Sequence, residues 1–222
     1  MLREALLASP DPDRVRANLT VVRRRIAAAA ARAGRDPAEV ELLAAVKYLG
    51  AEGLPGLVAA GITLVGENRA QELASKQAAA PELTWDFIGA LQSRKVRDLV
   101  GRVRLIHSVA SDSALEQLAR HGDPDATEIL VEVNLSGEPS KAGVDPGATA
   151  AFVDRCPVRV GGLMTMPPAS RDPAQSRQYF ARLRELANGL GLARLSMGTS
   201  QDFEVAVEEG ATIVRIGTIL YR

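Results

Sequence analysis

Short apolar segments recur along the whole chain, and helical patterns separate most of them. Eight of these segments have the length and composition of buried strands, at residues 42–46, 62–65, 86–91, 103–109, 128–135, 158–164, 193–197 and 212–216. A helix between successive strands requires crossover connections, which join parallel strands. The pattern predicts an α/β fold, a closed (β/α)₈ TIM-like barrel. The competing open doubly wound sheet usually carries Gly-x-Gly-x-x-Gly after its first strand, and that signature is missing.

A longer helix is predicted before the first strand. Asp11 can cap it, Pro12 suits its first turn, and Gly34 can end it. Apolar residues recur at three- and four-residue steps and predict one buried stripe, made of Val15, Leu19, Val22, Ile26 and Ala30. The three arginines at 23–25 are expected on the water-facing side. We find no linker, so residues 1–222 predict a single barrel domain with an extra N-terminal helix.

Charge and composition exclude several classes of function. The 27 basic and 27 acidic residues give a net charge of zero, so no long-range field attracts nucleic acid or an acidic membrane. No apolar run approaches the roughly 18 residues of a membrane helix. Residues 1–10 are too short and charged for a signal peptide, and we expect a cytoplasmic protein. One cysteine and two histidines predict neither a disulfide nor a metal site.

Ligands of barrels bind where the carboxyl ends of the strands meet. The first predicted strand ends at Lys47, which shares a strand face with Leu43 and Ala45 and is expected at the barrel mouth. Tyr48 is expected on the opposite face. A strand-end lysine often only reaches water, but a lysine amine removed from water can form a Schiff base.

Two segments near the C-terminus combine glycine with hydroxyl side chains. Ser-Met-Gly-Thr-Ser at 196–200 precedes a helical stretch, and Arg-Ile-Gly-Thr at 215–218 ends the eighth predicted strand. Each segment alone is typical of an ordinary cap or turn. The loops after strands seven and eight of a barrel commonly hold a phosphate group, so their joint position predicts a phosphate site.

Arg215 lies within an otherwise apolar strand, and a buried arginine needs a partner. The partner is either a barrel carboxylate, such as Glu132 or Glu67, or a ring nitrogen of a ligand. Asn68 follows the second predicted strand and could cap the next helix or reach that ligand. An amine, a phosphate cradle and an arginine at one mouth predict pyridoxal 5′-phosphate (PLP) as the cofactor.

Ordered motifs extend this prediction to nearly the whole chain. They are Ala-Val-Lys at 45–47, Gly-Glu-Asn-Arg at 66–69, Phe-Ile-Gly-Ala-Leu-Gln-Ser-Arg-Lys at 87–95, Ile-His-Ser-Val at 106–109, Val-Asn-Leu-Ser-Gly-Glu-Pro-Ser-Lys-Ala-Gly at 133–143, Gly-Leu-Met at 162–164, Leu-Ser-Met-Gly-Thr-Ser-Gln-Asp at 195–202, and Val-Arg-Ile-Gly-Thr at 214–218. From residue 42 onward, the chain resembles the PLP homeostasis proteins, also called the YggS/PROSC family.

The resemblance implies a fold like the N-terminal barrel of bacterial alanine racemase. It implies that Lys47 carries the aldimine, that Arg215 faces the pyridine nitrogen and that Asn68 lies near the ring. The phosphate would be held by three residues, Ser196, Gly217 and Thr218. Members of the family are thought to buffer and deliver PLP without established turnover. The resemblance therefore implies no catalytic residue, with apo PLP-dependent enzymes as candidate recipients.

Four positions depart from the pattern of the resembled family. Leu49 stands where many members have a second lysine, Asp86 where many have histidine, Arg94 where many have asparagine, and Ala110 where aspartate is usual. The lost lysine puts a handover between two neighbouring lysines in doubt. It leaves Lys141, in the loop after the fifth predicted strand, as the best remaining second contact for PLP or for a recipient protein.

Two other functions compete with PLP homeostasis. An amino-acid racemase of this fold uses the lysine as one base and a tyrosine from a second, β-rich domain of a partner subunit, for which this chain is too short. A phosphosugar enzyme could use Lys47 without a cofactor but would leave Arg215 unexplained. Without a second domain, a monomer is expected.

Overall fold

The computed structural model describes residues 10–138 and 141–222. Eight parallel strands close into a barrel in sequence order, each pairing with the next and the last pairing with the first. They are β1 (Glu41–Ala45), β2 (Leu64–Glu67), β3 (Thr84–Phe87), β4 (Leu105–Val109), β5 (Glu128–Glu132), β6 (Arg159–Met164), β7 (Arg194–Thr199) and β8 (Ile213–Ile216). The predicted TIM-like barrel is confirmed.

Helices surround the barrel and connect its strands. They are α1 (Pro12–Arg32), α2 (Leu54–Ala59), α3 (Ala70–Ala79), α4 (Val96–Leu99), α5 (Asp112–His121), α6 (Thr149–Asp154), α7 (Arg177–Gly189), α8 (Phe203–Glu208) and α9 (Thr218–Tyr221). Short 3₁₀ turns precede several of them, as at Pro173–Ser176 before α7. Most of the apolar core lies between the sheet and these helices.

The predicted N-terminal helix α1 begins as its sequence indicates. The Asp11 carboxylate accepts a hydrogen bond from the Asp13 amide, and the predicted apolar stripe is buried. The prediction that all three arginines at 23–25 face water is wrong for Arg25, because α8 covers its side of the helix. Its guanidinium pairs with Glu204 at 2.7 Å and lies 4.7 Å from the centre of the Phe203 ring.

Strand alternation decides which side chains fill the barrel interior. Apolar side chains form a small inner cluster made of Leu43, Leu64, Leu105, Leu130, Met164 and Ile213. The next inward-facing position on β4 is His107, and on β8 it is Arg215. The sequence therefore places a polar layer inside the barrel, directly above an apolar one and towards the carboxyl ends of the strands.

In the described ranges, 10–138 and 141–222, no helix is long and apolar enough to cross a membrane. The same residues contain no cluster of three or more side chains suited to hold a metal ion.

Candidate functional site

A cavity of about 400 Å³ opens at the carboxyl ends of the strands. Five of the six predicted ligand-binding residues line it, namely Lys47, Asn68, Arg215, Gly217 and Thr218. They come from the ends of β1, β2 and β8, which are adjacent in the barrel. Closure of the sheet between β1 and β8 is therefore what brings residues 47 and 215–218 into one site.

Lys47 follows β1 in a turn and is partly buried. Its amine lies 4.5 Å from the centre of the Tyr48 ring, and no carboxylate pairs with it among the described residues. Tyr48 also lines the cavity, so its predicted placement on the opposite face is wrong. The strand ends at Ala45, and the alternation of faces does not continue through the turn at 47–48.

A buried ion pair holds the backbone on which Lys47 stands. Lys76, in the last part of α3, pairs with Glu67 and donates a hydrogen bond to the Val46 carbonyl at 3.1 Å. The other Glu67 oxygen accepts hydrogen bonds from the amides of Asn68 and Arg69, at 2.7 and 2.9 Å. Glu67 is thus the partner of Lys76, and the alternative in which it pairs with Arg215 is not formed. The sequence gives no signal for this role of Lys76, because a lysine within a helix ordinarily faces water.

Asn68 presents an unsatisfied acceptor at the cavity. Its side-chain oxygen is buried and has no hydrogen-bond partner among the described residues. Gly89 allows the chain to pass close by, since a Cβ at that position would lie 2.2 Å from the Asn68 carbonyl oxygen. A buried acceptor without a donor costs free energy, so this one indicates a ligand that donates a hydrogen bond or orders a bridging water.

Arg215 is 6% exposed, and hydrogen bonds to the protein hold its two terminal nitrogens. Nη1 donates to the Ser196 hydroxyl at 2.5 Å, and Nη2 donates to the Thr165 carbonyl at 3.0 Å and to Met166 Sδ at 2.9 Å. Burial lowers the pKa of Arg215 to about 10, so the guanidinium stays charged at neutral pH. The negative charge of Glu132 opposes that shift, but the alternative of an ion pair between Arg215 and Glu132 is not formed.

Ser196 is the predicted ligand-binding residue that the structure does not bring to the cavity. It is fully buried on the inward face of β7, between His107 and Arg215. The hydroxyl residues that do line the cavity at the end of β7 are Thr199 and Ser200. The sequence alone could not indicate this, because it is the register of β7 against β8 that pairs residue 196 with the inward-facing Ile213, one layer below the mouth.

The loops after β7 and β8 contact each other at the cavity. The Gly217 amide donates to the Ser200 hydroxyl at 3.1 Å. The Thr199 amide and hydroxyl both donate to the Asp202 carboxylate, at 2.7 and 3.0 Å, which fixes the turn before α8. Together with Thr218, the two loops bring three hydroxyl groups to one wall of the cavity. Such a wall suits an anion with several acceptor oxygens.

Lys141 does not line this cavity. Its amine lies 3.7 Å from a Glu138 carboxylate oxygen, and two residues of its loop, 139 and 140, lie outside the described residues. Its role as a second contact stays a prediction.

The four departures from the resembled family lie in different settings. Leu49 is fully buried, Arg94 is exposed and bonded to Gln92, and Ala110 is partly buried. Asp86 lies inside the barrel and bonds to His107.

Comparison with known proteins places the whole described barrel in one family. The chain matches the family described as alanine racemase, N-terminal domain, over residues 11–222. It is 42% identical over 217 residues to the pyridoxal phosphate homeostasis protein of Aquifex aeolicus, covering 91% of this chain and 95% of that relative. It is also 42% identical over 214 residues to the pyridoxal phosphate homeostasis protein of Pseudomonas aeruginosa, covering 92% and 93%.

Among solved structures, the chain is similar to PipY of Synechococcus elongatus PCC7942, determined with PLP bound. The TM-score is 0.80 and the identity 33%, over 94% of this chain and 100% of that chain.

Proposed function

Because the chain belongs to the alanine racemase N-terminal domain family, among its pyridoxal phosphate homeostasis proteins, we propose that it binds PLP through a Schiff base on Lys47. We further propose that it buffers and delivers PLP in the cytoplasm, as a monomer, with apo PLP-dependent enzymes as recipients. The observation that carries the proposal is the convergence of Lys47, Arg215 and the hydroxyl-bearing loops on one cavity.

The donors at the cavity fit the groups of PLP. PLP supplies an aldehyde that an amine can attack and an aromatic ring that withdraws electrons. Lys47 offers that amine, and no carboxylate among the described residues competes for it. Asn68 lines the same cavity, and its unsatisfied side-chain oxygen, although buried, would be the acceptor for a hydroxyl group on the ring. These two residues would hold the reactive side of the ring.

The phosphate would lie against the loops after β7 and β8. Ser200, Gly217 and Thr218 line that part of the cavity, and the Ser200 hydroxyl is already oriented by the Gly217 amide. Ser200 takes the place that we predicted for Ser196. A dianion held by hydroxyl groups gains charge-assisted hydrogen bonds, so the phosphate would supply much of the affinity.

Arg215 argues for carriage rather than catalysis. A guanidinium can only donate hydrogen bonds, so facing the pyridine nitrogen it would keep that nitrogen unprotonated. The ring would then be a weak electron sink, and little racemase or transaminase turnover would follow. The Tyr48 ring beside Lys47 is the one observation that favours the alternative, a PLP-dependent amino-acid racemase, because it places a second ionisable group at the cavity.

Titration of the purified protein with PLP tests the proposal. We expect a visible absorption band that saturates at one PLP per chain, and much weaker binding of pyridoxal, which lacks the phosphate. A protein that stays colourless at saturating PLP would rule out the proposed function. Equal affinity for PLP and pyridoxal would instead rule out the phosphate cradle alone.

A further inference from the structure

A continuous chain of buried polar side chains runs through the barrel interior to Arg215. Asp86 on β3 contacts His107 Nε2 at 3.1 Å, and His107 Nδ1 contacts the Ser196 hydroxyl at 2.9 Å. Ser196 in turn accepts the hydrogen bond from Arg215 Nη1. The first three side chains are fully buried, and only Arg215 reaches the cavity. Buried polar groups are costly unless every one of them is bonded, as they are here.

The chemistry of the end groups fixes the hydrogen bonds at the two ends of this chain, because Arg215 can only donate and an Asp86 carboxylate can only accept. Arg215 can only donate, so the Ser196 oxygen accepts from it and the Ser196 proton is free to go to His107 Nδ1. In a neutral His107 the proton lies on Nε2, which donates to Asp86, and Nδ1 accepts from the Ser196 hydroxyl. Burial lowers the pKa of His107, which agrees with a neutral ring. Each link of the chain then joins one donor to one acceptor.

Asp86 is held as a carboxylate from its other side. Arg104 donates to its two oxygens at 2.9 and 2.7 Å, and binds both oxygens of Glu41 at 2.8 and 2.9 Å. Although burial opposes it, the hydrogen bonds from His107 and Arg104 hold the pKa of Asp86 below its usual value. An ionised carboxylate can only accept, and it therefore orients His107 in one way.

We propose that Asp86 is a positioning residue that acts through His107 and Ser196 to hold the Arg215 guanidinium in one orientation at the cavity. Only the identity of the ligand that Arg215 faces rests on the proposed function. The inference explains why a carboxylate stands at position 86, which lies outside the cavity. An acceptor at that end fixes the tautomer of a neutral His107, and the unprotonated Nδ1 then takes the Ser196 proton, so that the Ser196 oxygen presents its lone pairs to Arg215.

The orientation is tested first in the protein without PLP, by ¹⁵N NMR. The chain has two histidines, so His121→Gln identifies the signals of His107. We expect a neutral His107 with its proton on Nε2. We also expect resolved Nη signals for Arg215, identified with Arg215→Lys, because hydrogen bonds at both terminal nitrogens restrict rotation of the guanidinium.

Two variants break the chain at different places. Asp86→Asn replaces an obligate acceptor by an amide, which can also donate, and Ser196→Ala removes the link between His107 and Arg215 without altering a buried charge. In both, the Arg215 Nη signals should broaden or merge. Glu41→Gln is the matched control, since it weakens the ion pair of Arg104 with residue 41 and leaves the hydrogen bond between His107 and Asp86 intact. The Arg215 Nη signals of this variant should match those of the parent.

The same variants are then titrated with PLP. Asp86→Asn and Ser196→Ala should bind PLP roughly tenfold more weakly, the size of effect expected for one misplaced hydrogen bond to a charged group, with Glu41→Gln within about twofold of the parent. A His107 proton on Nδ1, or Arg215 signals unchanged in both variants, would overturn the inference. A parent that fails to bind PLP would contradict the proposed function, while the NMR result would still decide the positioning role. Should Asp86→Asn not fold, as judged by circular dichroism, Ser196→Ala decides alone.

Discussion

Gly217 is the residue at which a single added methyl group tests the proposed phosphate site. A Cβ there would meet only Ala45, at 3.7 Å, which is an ordinary contact. Gly217→Ala should therefore leave the barrel folded and weaken PLP binding by about tenfold or more, since the methyl group intrudes where the phosphate would lie. Calorimetric titration with PLP and with pyridoxal measures the effect.

The control for this change is Gly189→Ala, at the end of α7, where a Cβ meets nothing within 4 Å. It should bind PLP like the parent. If Gly217→Ala lost affinity for pyridoxal as strongly as for PLP, the phosphate would not lie against that loop.

The sequence indicates which residue types lie near the cavity more reliably than it indicates which of them line the cavity and which are buried in the barrel. Lys47 and Arg215 were predictable because each is a cation at or near the end of an apolar strand. Ser196 and Ser200 share one segment, and only the register of β7 against β8 shows that the first is buried and the second lines the cavity. The prediction for Tyr48 is wrong because the alternation of strand faces does not continue into the turn at residues 47–48.

The end of β1 depends on α3 for its position. Lys76 reaches from that helix to the Val46 carbonyl while paired with Glu67 and Glu72. Lys76→Met would leave Glu67 as a buried carboxylate without its cation, and we expect a loss of about 3–5 kcal/mol in the free energy of unfolding. Urea denaturation followed by circular dichroism measures it.

Lys95→Met removes the comparable but 30% exposed lysine that pairs with Asp98 at 3.3 Å. The free energy of unfolding should change by less than about 1 kcal/mol. The double variant Lys76→Met/Glu67→Gln should recover part of the loss. Equal effects of Lys76→Met and Lys95→Met would show that the buried pair does not hold β1 and α3 together.

All eight strands were predictable because their apolar runs are short and separated by helical patterns. Their ends were not, because several apolar runs continue into loops that pack on the barrel. The fifth predicted strand, 128–135, ends as β5 at Glu132, and residues beyond it form only an isolated bridge between Val133 and Val144. Contacts between α1 and α8, such as that of Arg25 with Glu204, likewise depend on which helices the closed barrel makes neighbours.

For the whole molecule, His107 makes stability depend on pH. In the unfolded chain, the His107 ring gains a proton near pH 6.5. In the folded protein it gains that proton only at lower pH, because burial lowers its pKa. Between those two values the unfolded state binds more protons. The free energy of unfolding should thus fall as the pH drops below about 6.5, by at most about 1.4 kcal/mol per pH unit.

The measurement is the difference between the parent and His107→Gln in denaturation experiments from pH 7.5 down to pH 4.5. Burial also raises the pKa of Glu132, which adds stability as the pH falls, and this opposite contribution largely cancels in the difference. His121→Gln, at the end of α5, should follow the parent across the range. A parent and a His107→Gln variant with parallel pH profiles would contradict the buried neutral histidine.

The proposed role as a PLP carrier predicts that the protein turns over amino acids slowly, even with PLP bound. Because the proposal places Arg215 at the ring nitrogen, we expect kcat below about 1 s⁻¹ for racemisation of any common amino acid. Chiral chromatography of product mixtures measures it, with Tyr48→Phe as the comparison. A rate above that value that disappears in Tyr48→Phe would favour the racemase alternative.

The central claim is attachment of PLP to Lys47, and reduction with borohydride tests it most directly. The chain has four lysines, Lys47, Lys76, Lys95 and Lys141, so peptide mass spectrometry can assign the trapped pyridoxyl group to one of them. We predict that it lies on the peptide containing Lys47, and that Lys47→Ala loses both the label and the visible absorption band. A label found mainly on another lysine, or an unchanged absorption band in Lys47→Ala, would contradict the account.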